Sequence, residues 1–215
     1  MNSVSRREFL LGISTLPYTV TAVAQSLTTD ALKALRSGFG GELILPTDSV
    51  YESARRTNNH AFDRHPLLIA RCTNADDVAR VLEYARSKRL PIAVRSGGHC
   101  QAGRSSLDGG VVIDLSKMNA IVVDSPKAEV QCGAGVRVFE ANRETAKYDL
   151  ALPLGICGDV GVAGLTLGGG YGYLLGVAGL ACDSLISARL VLADGRTIEV
   201  SDQKEPDLMW ALRGA

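Results

Sequence analysis

From residue 66 onward, short apolar runs bounded by turn residues alternate with stretches of helical spacing. Pro66 introduces Leu67-Leu68-Ile69-Ala70, which reads as a buried strand. Thr73 with Asp76 makes a capping box. Val78, Val81, Leu82 and Ala85 follow at helical spacing, with Lys88 and Arg89 in the last turn to suit the helix dipole. Pro91-Ile92-Ala93-Val94 predicts a second strand. Val111 to Leu115, Ile121 to Asp124 and Ala128 to Cys132 predict three more, with Ser125-Pro126-Lys127 as the turn between the last two. Val136 to Lys147 carries a weaker helical pattern, its apolar side formed by Val136, Phe139, Ala141 and Thr145. Leu185 to Leu192 and Thr197 to Val200 flank Ala193-Asp194-Gly195-Arg196, a hairpin signal. Pro206 opens a last short helix that runs to Leu212. Residues 25–65, in contrast, are polar and weakly periodic, with a break at Gly38-Phe39-Gly40-Gly41, and predict no element.

This order of elements predicts an α+β domain in two lobes, about 66–132 and 133–215, preceded by a lead segment over 25–65. Two glycine-rich loops would line one cleft between the lobes. The first, Arg95-Ser96-Gly97-Gly98-His99-Cys100-Gln101-Ala102-Gly103, follows a strand of a strand–helix–strand unit, where ligands tend to bind. Its successive amides form an anion-binding concavity, to which Arg95 adds positive charge. The second runs from Leu154 to Gly172, and ten of the 23 glycines fall between Gly155 and Gly179. Glycine costs backbone entropy and adds no packing, so such a density marks close approach of backbone to something. Val160, Val162, Ala163, Leu165 and Leu167 between the glycines exclude a solvated flexible linker. The partner is either the protein's own backbone in a tightly packed turn or a bound anion or heteroaromatic ring. His99 in isolation reads more readily as a hydrogen-bonded structural histidine than as a catalytic one.

Charge and cysteine usage narrow the functional classes. The 23 basic residues balance the 23 acidic ones, so the chain lacks the electrostatic footprint of a nucleic-acid binder. Five cysteines is an odd number, and none forms a CxxC pair, so no metal site is predicted and at least one thiol is free, bonded to another chain or used in chemistry. The N-terminus carries Arg6-Arg7 ahead of an apolar run through Val20, then Ala22-Val23-Ala24 as a small-x-small cleavage site. These features predict residues 1–24 as a twin-arginine signal peptide and a periplasmic or secreted mature chain. The apolar run is too short to act as a stable membrane anchor.

Taken together, these stretches resemble the flavin-binding half of the oxidases related to the berberine bridge enzyme and vanillyl-alcohol oxidase. The matching pieces are Val94-Arg95-Ser96-Gly97-Gly98-His99, Val112-Ile113-Asp114-Leu115-Ser116 and Gly161 through Gly172. Gly179-Leu180-Ala181-Cys182-Asp183 and Pro206 through Gly214 also match. The resemblance implies a two-lobed FAD-binding domain of the PCMH type. It implies FAD contacts from Arg95, Ser96, Gly97, Gly98, His99, Cys100, Gln101 and Gly103 in the first loop. In the second loop the implied contacts are Gly155, Cys157, Val160, Gly161, Gly164, Leu165, Gly168, Gly169, Gly170 and Gly172, followed by Gly179, Leu180 and Asp183. It further implies a covalent bond from His99 to the 8α-methyl carbon of the flavin, and a second from Cys157 to C6 in members with a cysteine there. The implied activity is that of an oxidase, with a hydride passing from an alcohol, sugar or related donor to the flavin and on to oxygen or another acceptor. The family's substrate domain and catalytic base follow the motif that here ends at Gly214. The chain is therefore expected to lack them, and no catalytic acid or base is assigned. The alternative is a flavin-binding module without turnover of its own.

Overall fold

A computed structural model describes residues 29–214. The signal-peptide reading of residues 1–24 lies outside the described residues. Three parallel strands form the centre: β2 (Leu68–Arg71), β3 (Ile92–Arg95) and β4 (Val111–Asp114). β4 inserts between the other two, so Leu68 and Ile92 both align with Val111, and Arg71 and Arg95 both align with Asp114. A short strand β1 (Glu42–Ile44) adds antiparallel to the free edge of β2, giving the order β1-β2-β4-β3. Both faces of β2 and β4 are covered, which explains why they read as continuous apolar runs, whereas β3 at the sheet edge alternates exposed Ile92 and Val94 with buried Ala93 and Arg95. On one face, Leu68, Ala70, Val111 and Ile113 pack with Val81, Tyr84 and Ala85 of helix α3 (Ala75–Ser87) and Leu35 of helix α1 (Thr29–Arg36). On the other, Ile69, Val112, Ala93 and Ile44 pack with Tyr51 and Ala54 of helix α2 (Tyr51–Arg55).

The lead segment thus holds structure that its sequence pattern does not announce. α1, β1 and α2 all fall within 29–65, and Leu35, Leu43, Ile44, Tyr51 and Ala54 are buried core residues. Tyr51 also donates its hydroxyl to Pro66 O at 2.8 Å. These elements are too short for periodicity to reveal, and their partners lie tens of residues away. The start of α3 differs by one residue from expectation. Asn74, in an extended conformation, is the cap and accepts from Asp77 N at 2.9 Å. Asp77, and not Asp76, reaches back to Thr73 N and Thr73 Oγ1 and also accepts from Gly40 N.

After β4 comes the hairpin of β5 (Ile121–Asp124) and β6 (Glu129–Cys132), closed by a 3-10 turn over Ser125–Lys127. Helix α4 (Val138–Thr145) packs on β5. It is shorter than the pattern predicts, because Arg137 is extended and bridges to Gly161 while Val138 N donates to Val160 O. Short helices α5 (Val162–Leu167) and α6 (Leu175–Ala178) follow within the glycine-rich region. The predicted hairpin then appears as β7 (Ser187–Val191) and β8 (Thr197–Ser201), with β7 touching α3 of the first lobe. Helix α7 (Pro206–Leu212) packs on β8. No helix among the described residues is long and apolar enough to cross a membrane.

Candidate flavin-binding site

The first loop leaves the sheet at Arg95, whose position is fixed by charge. Its guanidinium is buried and lies 2.9 Å from Asp114 Oδ2 on the neighbouring strand. Burial pushes the Asp114 carboxyl up, but the Arg95 charge and the Ser116 amide and hydroxyl outweigh it and hold the group below the usual carboxylate range. Arg95 therefore does not present a free positive charge to the loop, as its sequence context suggests. Its charge is spent on Asp114, and its buried Nη1 has no hydrogen-bond partner. Beyond it, Gly98 sits at φ +73°, a left-handed conformation that a side chain resists. Its carbonyl accepts from Asn58 N at 3.1 Å. Asn59 Nδ2 donates to Gln101 O, and the Phe62 ring lies against Gly103, where an added Cβ would come within 2.4 Å of it. The lead segment is thus the backing of the His99 loop, which the run Arg55-Arg56-Thr57-Asn58-Asn59 gives no local sign of.

The second loop is laid along the chain that enters α4. Val138 N donates to Val160 O, Phe139 N to Gly158 O and Val162 N to Val136 O. Cys157 stands at the exposed end of this arrangement, its carbonyl accepting from Val160 N. The two loops meet backbone to backbone. A Cβ on Gly97 would lie 2.3 Å from Gly161 N, and one on Gly161 would lie 2.2 Å from Ser96 Oγ and 2.5 Å from Gly97 N. At these two positions glycine is required by the protein's own packing. Gly172 likewise abuts Leu154 O, and Leu165 packs over Gly155, so the segment from Gly168 onward is continuous with the Cys157 loop. Ala181 N and Cys182 N donate to Gly170 O and Gly169 O. The Asp183 carboxylate caps its own turn by accepting from Leu180 N. By contrast, an added Cβ on Gly164 would meet nothing within 4 Å, and on Gly168 only backbone at 3.6 Å.

The thiols divide by environment. Burial first, then the Asp77 and Asp114 carboxylates, push the Cys72 thiol up to about 12, and burial also raises that of Cys132. Cys182 is buried, Cys100 and His99 are half-buried, and Cys157 alone among the five is exposed. No cluster suited to a metal ion occurs among the described residues.

Buried polar atoms are nearly always paired, so orphans point to a missing partner. Three lie in or just after the first loop: Arg95 Nη1, Ser105 Oγ and Ser106 Oγ, each on a residue at most 6% exposed. All three can donate, and the diphosphate of a dinucleotide offers acceptors of the matching kind. With the amide-rich turns around Gly97 and Gly98, the donor set fits FAD.

Comparison with known proteins agrees. A family model described as an FAD binding domain matches residues 66–201. The (R)-6-hydroxynicotine oxidase of Paenarthrobacter nicotinovorans is 42% identical over 175 residues, covering 81% of this chain and 38% of that protein. The crystal structure of 6-hydroxy-D-nicotine oxidase from Arthrobacter nicotinovorans superposes with a TM-score of 0.81 at 42% identity, over 82% of this chain and 39% of that one. Glucooligosaccharide oxidase from Acremonium strictum, described with a 6-S-cysteinyl, 8α-N1-histidyl FAD, superposes with a TM-score of 0.79 at 29% identity, over 86% and 39%. The chain spans about two-fifths of the length of these relatives. Fold, loop geometry and sequence match converge, and the chain belongs to the family of FAD-binding domains carried by FAD-linked oxidoreductases.

Proposed function

We propose that the chain is the flavin-binding part of an FAD-dependent oxidase, with FAD bonded to both His99 and Cys157. The donor is an alcohol, a sugar or a related small molecule, and oxygen or another acceptor takes the electrons. The observation that carries this reading is the contact of Gly97 with Gly161, which puts the His99 loop against the Cys157 loop. The doubly linked flavin described for glucooligosaccharide oxidase supports it. When bound, the flavin supplies a two-electron acceptor that no side chain offers. The protein's part is to bind and orient. The Ser105 and Ser106 hydroxyls and Arg95 Nη1 are the donors available to an anion, and the loop amides add to them. The His99 imidazole and the Cys157 sulfur are the nucleophiles that would anchor the ring. Each linkage replaces one hydrogen on the protein atom and one on a flavin carbon. Two electrons and two protons leave per bond, and oxygen balances them.

The purified protein should be yellow and keep its flavin through acid precipitation. His99→Ala and Cys157→Ser should each leave one bond, and only the double variant should release all flavin to the supernatant. Full release from the wild type would refute the covalent reading. We also propose export by the twin-arginine route, supported by Arg6-Arg7 and Ala22-Val23-Ala24. Residues 1–30 fused to a folded reporter should reach the periplasm, and Arg6→Lys with Arg7→Lys should block it. Unchanged export of that variant would point to the general secretory route.

A further inference from the structure

The structure assigns Ser96 a role that rests on the reading above: we infer that it is a positioning residue, holding the two attachment loops in register so that Cys157 can form its bond. Ser96 Oγ donates to Ala134 O at 2.6 Å, in the segment between β6 and α4. That segment is itself clamped. Gly133 N and Gly135 N donate to Ala120 O and Met118 O, and Cβ atoms on the two glycines would fall 2.1 and 2.0 Å from Met118 O and Leu115 O. On its other side the same hydroxyl occupies the space where Gly161 has no side chain. One oxygen thus touches the β6–α4 segment and the Cys157 loop, while its own backbone begins the His99 loop.

The two loops differ in what else holds them. The His99 loop has tethers that do not pass through Ser96: Asn58 N on Gly98 O, Asn59 Nδ2 on Gln101 O, and Phe62 against Gly103. The Cys157 loop is tied to the entry of α4 by Val138 N on Val160 O, Phe139 N on Gly158 O and Val162 N on Val136 O, and this unit as a whole meets the His99 loop at Ser96, Gly97 and Gly161. Loss of the Ser96 hydroxyl should therefore leave His99 in place and let Cys157 drift. A displacement of about 1 Å can cost about a hundredfold in a reaction that depends on alignment, and a partial shift correspondingly less.

The test is peptide mass spectrometry of the full chain expressed with FAD, scoring flavin on the His99 and Cys157 peptides separately. Ser96→Ala should keep the His99 linkage and form the Cys157 linkage about tenfold more slowly. Gly161→Ala, which presses on the same contact from the other side, should show the same selective loss. Ser87→Ala removes a hydroxyl bonded to Tyr84 O on α3, away from both loops, and should keep both linkages. A Ser96→Ala chain with wild-type rates at both sites overturns the inference, as does equal loss at both sites or selective loss in Ser87→Ala. A wild-type chain with no flavin on Cys157 refutes the attachment reading itself, and that outcome is seen before any variant is made.

Discussion

Asp114 is the centre of a charged row that crosses the whole four-stranded sheet. Register places Glu42, Arg71, Asp114 and Arg95 side by side on successive strands. Arg71 lies 2.9 Å from Glu42 and 3.5 Å from Asp114, and Arg95 lies 2.9 Å from Asp114. Removing one partner of a buried pair leaves the other charge uncompensated, so Asp114→Asn should cost about 3 kcal/mol in urea denaturation. The pH dependence has a definite sign. The folded Asp114 and Asp77 carboxyls titrate below the ordinary aspartate value, so their stabilisation is complete above it and is lost as pH falls through the folded values. Urea midpoints of the wild type should hold from neutrality to about pH 5 and fall below about pH 4, with a shallower fall in Asp114→Asn. A steeper acid limb in that variant would contradict the assignment. Arg95 shows what a sequence leaves unread at this scale. Its place beside two glycines is visible, but the carboxylate that neutralises it sits on a strand made later.

At the scale of elements, the strands and glycine loops were legible because each carries its signal locally. β2 and β4 are apolar because both faces are covered, and the density from Gly155 to Gly179 stands out against any background. His99 and Cys157 are candidates as members of motifs, not from their own chemistry. What stayed hidden depends on distant partners. α2 is five residues long, and Asn58, Asn59 and Phe62 act on a loop about forty residues away. The start of α3 was placed one residue early because Thr73 and Asn74 are both capping types, and the choice between them is made by Asp77 and its bond to Gly40. Asn74→Ala should cost about 1 kcal/mol, as loss of a cap usually does. Asp77→Ala should cost more, since Thr73 N, Thr73 Oγ1 and Gly40 N would lose one shared acceptor. Equal midpoint shifts for the two variants would show that the Gly40 link adds nothing.

For the whole molecule, the first lobe depends on a segment that the family match at residues 66–201 does not include. Deleting residues 29–65 would uncover the Ile69 and Val112 face and the outer edge of β2, and would remove the backing of the His99 loop. The shortened chain should be largely insoluble and, once refolded, should bind no flavin at His99. Soluble, flavinylated protein from that deletion would show the lead segment to be dispensable. The insertion of β4 between β2 and β3 also sets a timetable for biosynthesis. β2 and β3 are complete by Arg95, yet neither gains its parallel neighbour until Asp114 has been made. A nascent chain paused in that interval presents two strands with open edges, the condition most prone to wrong pairing. Synthesis of the last strand of this sheet is therefore the step at which chaperone capture and productive folding compete most directly.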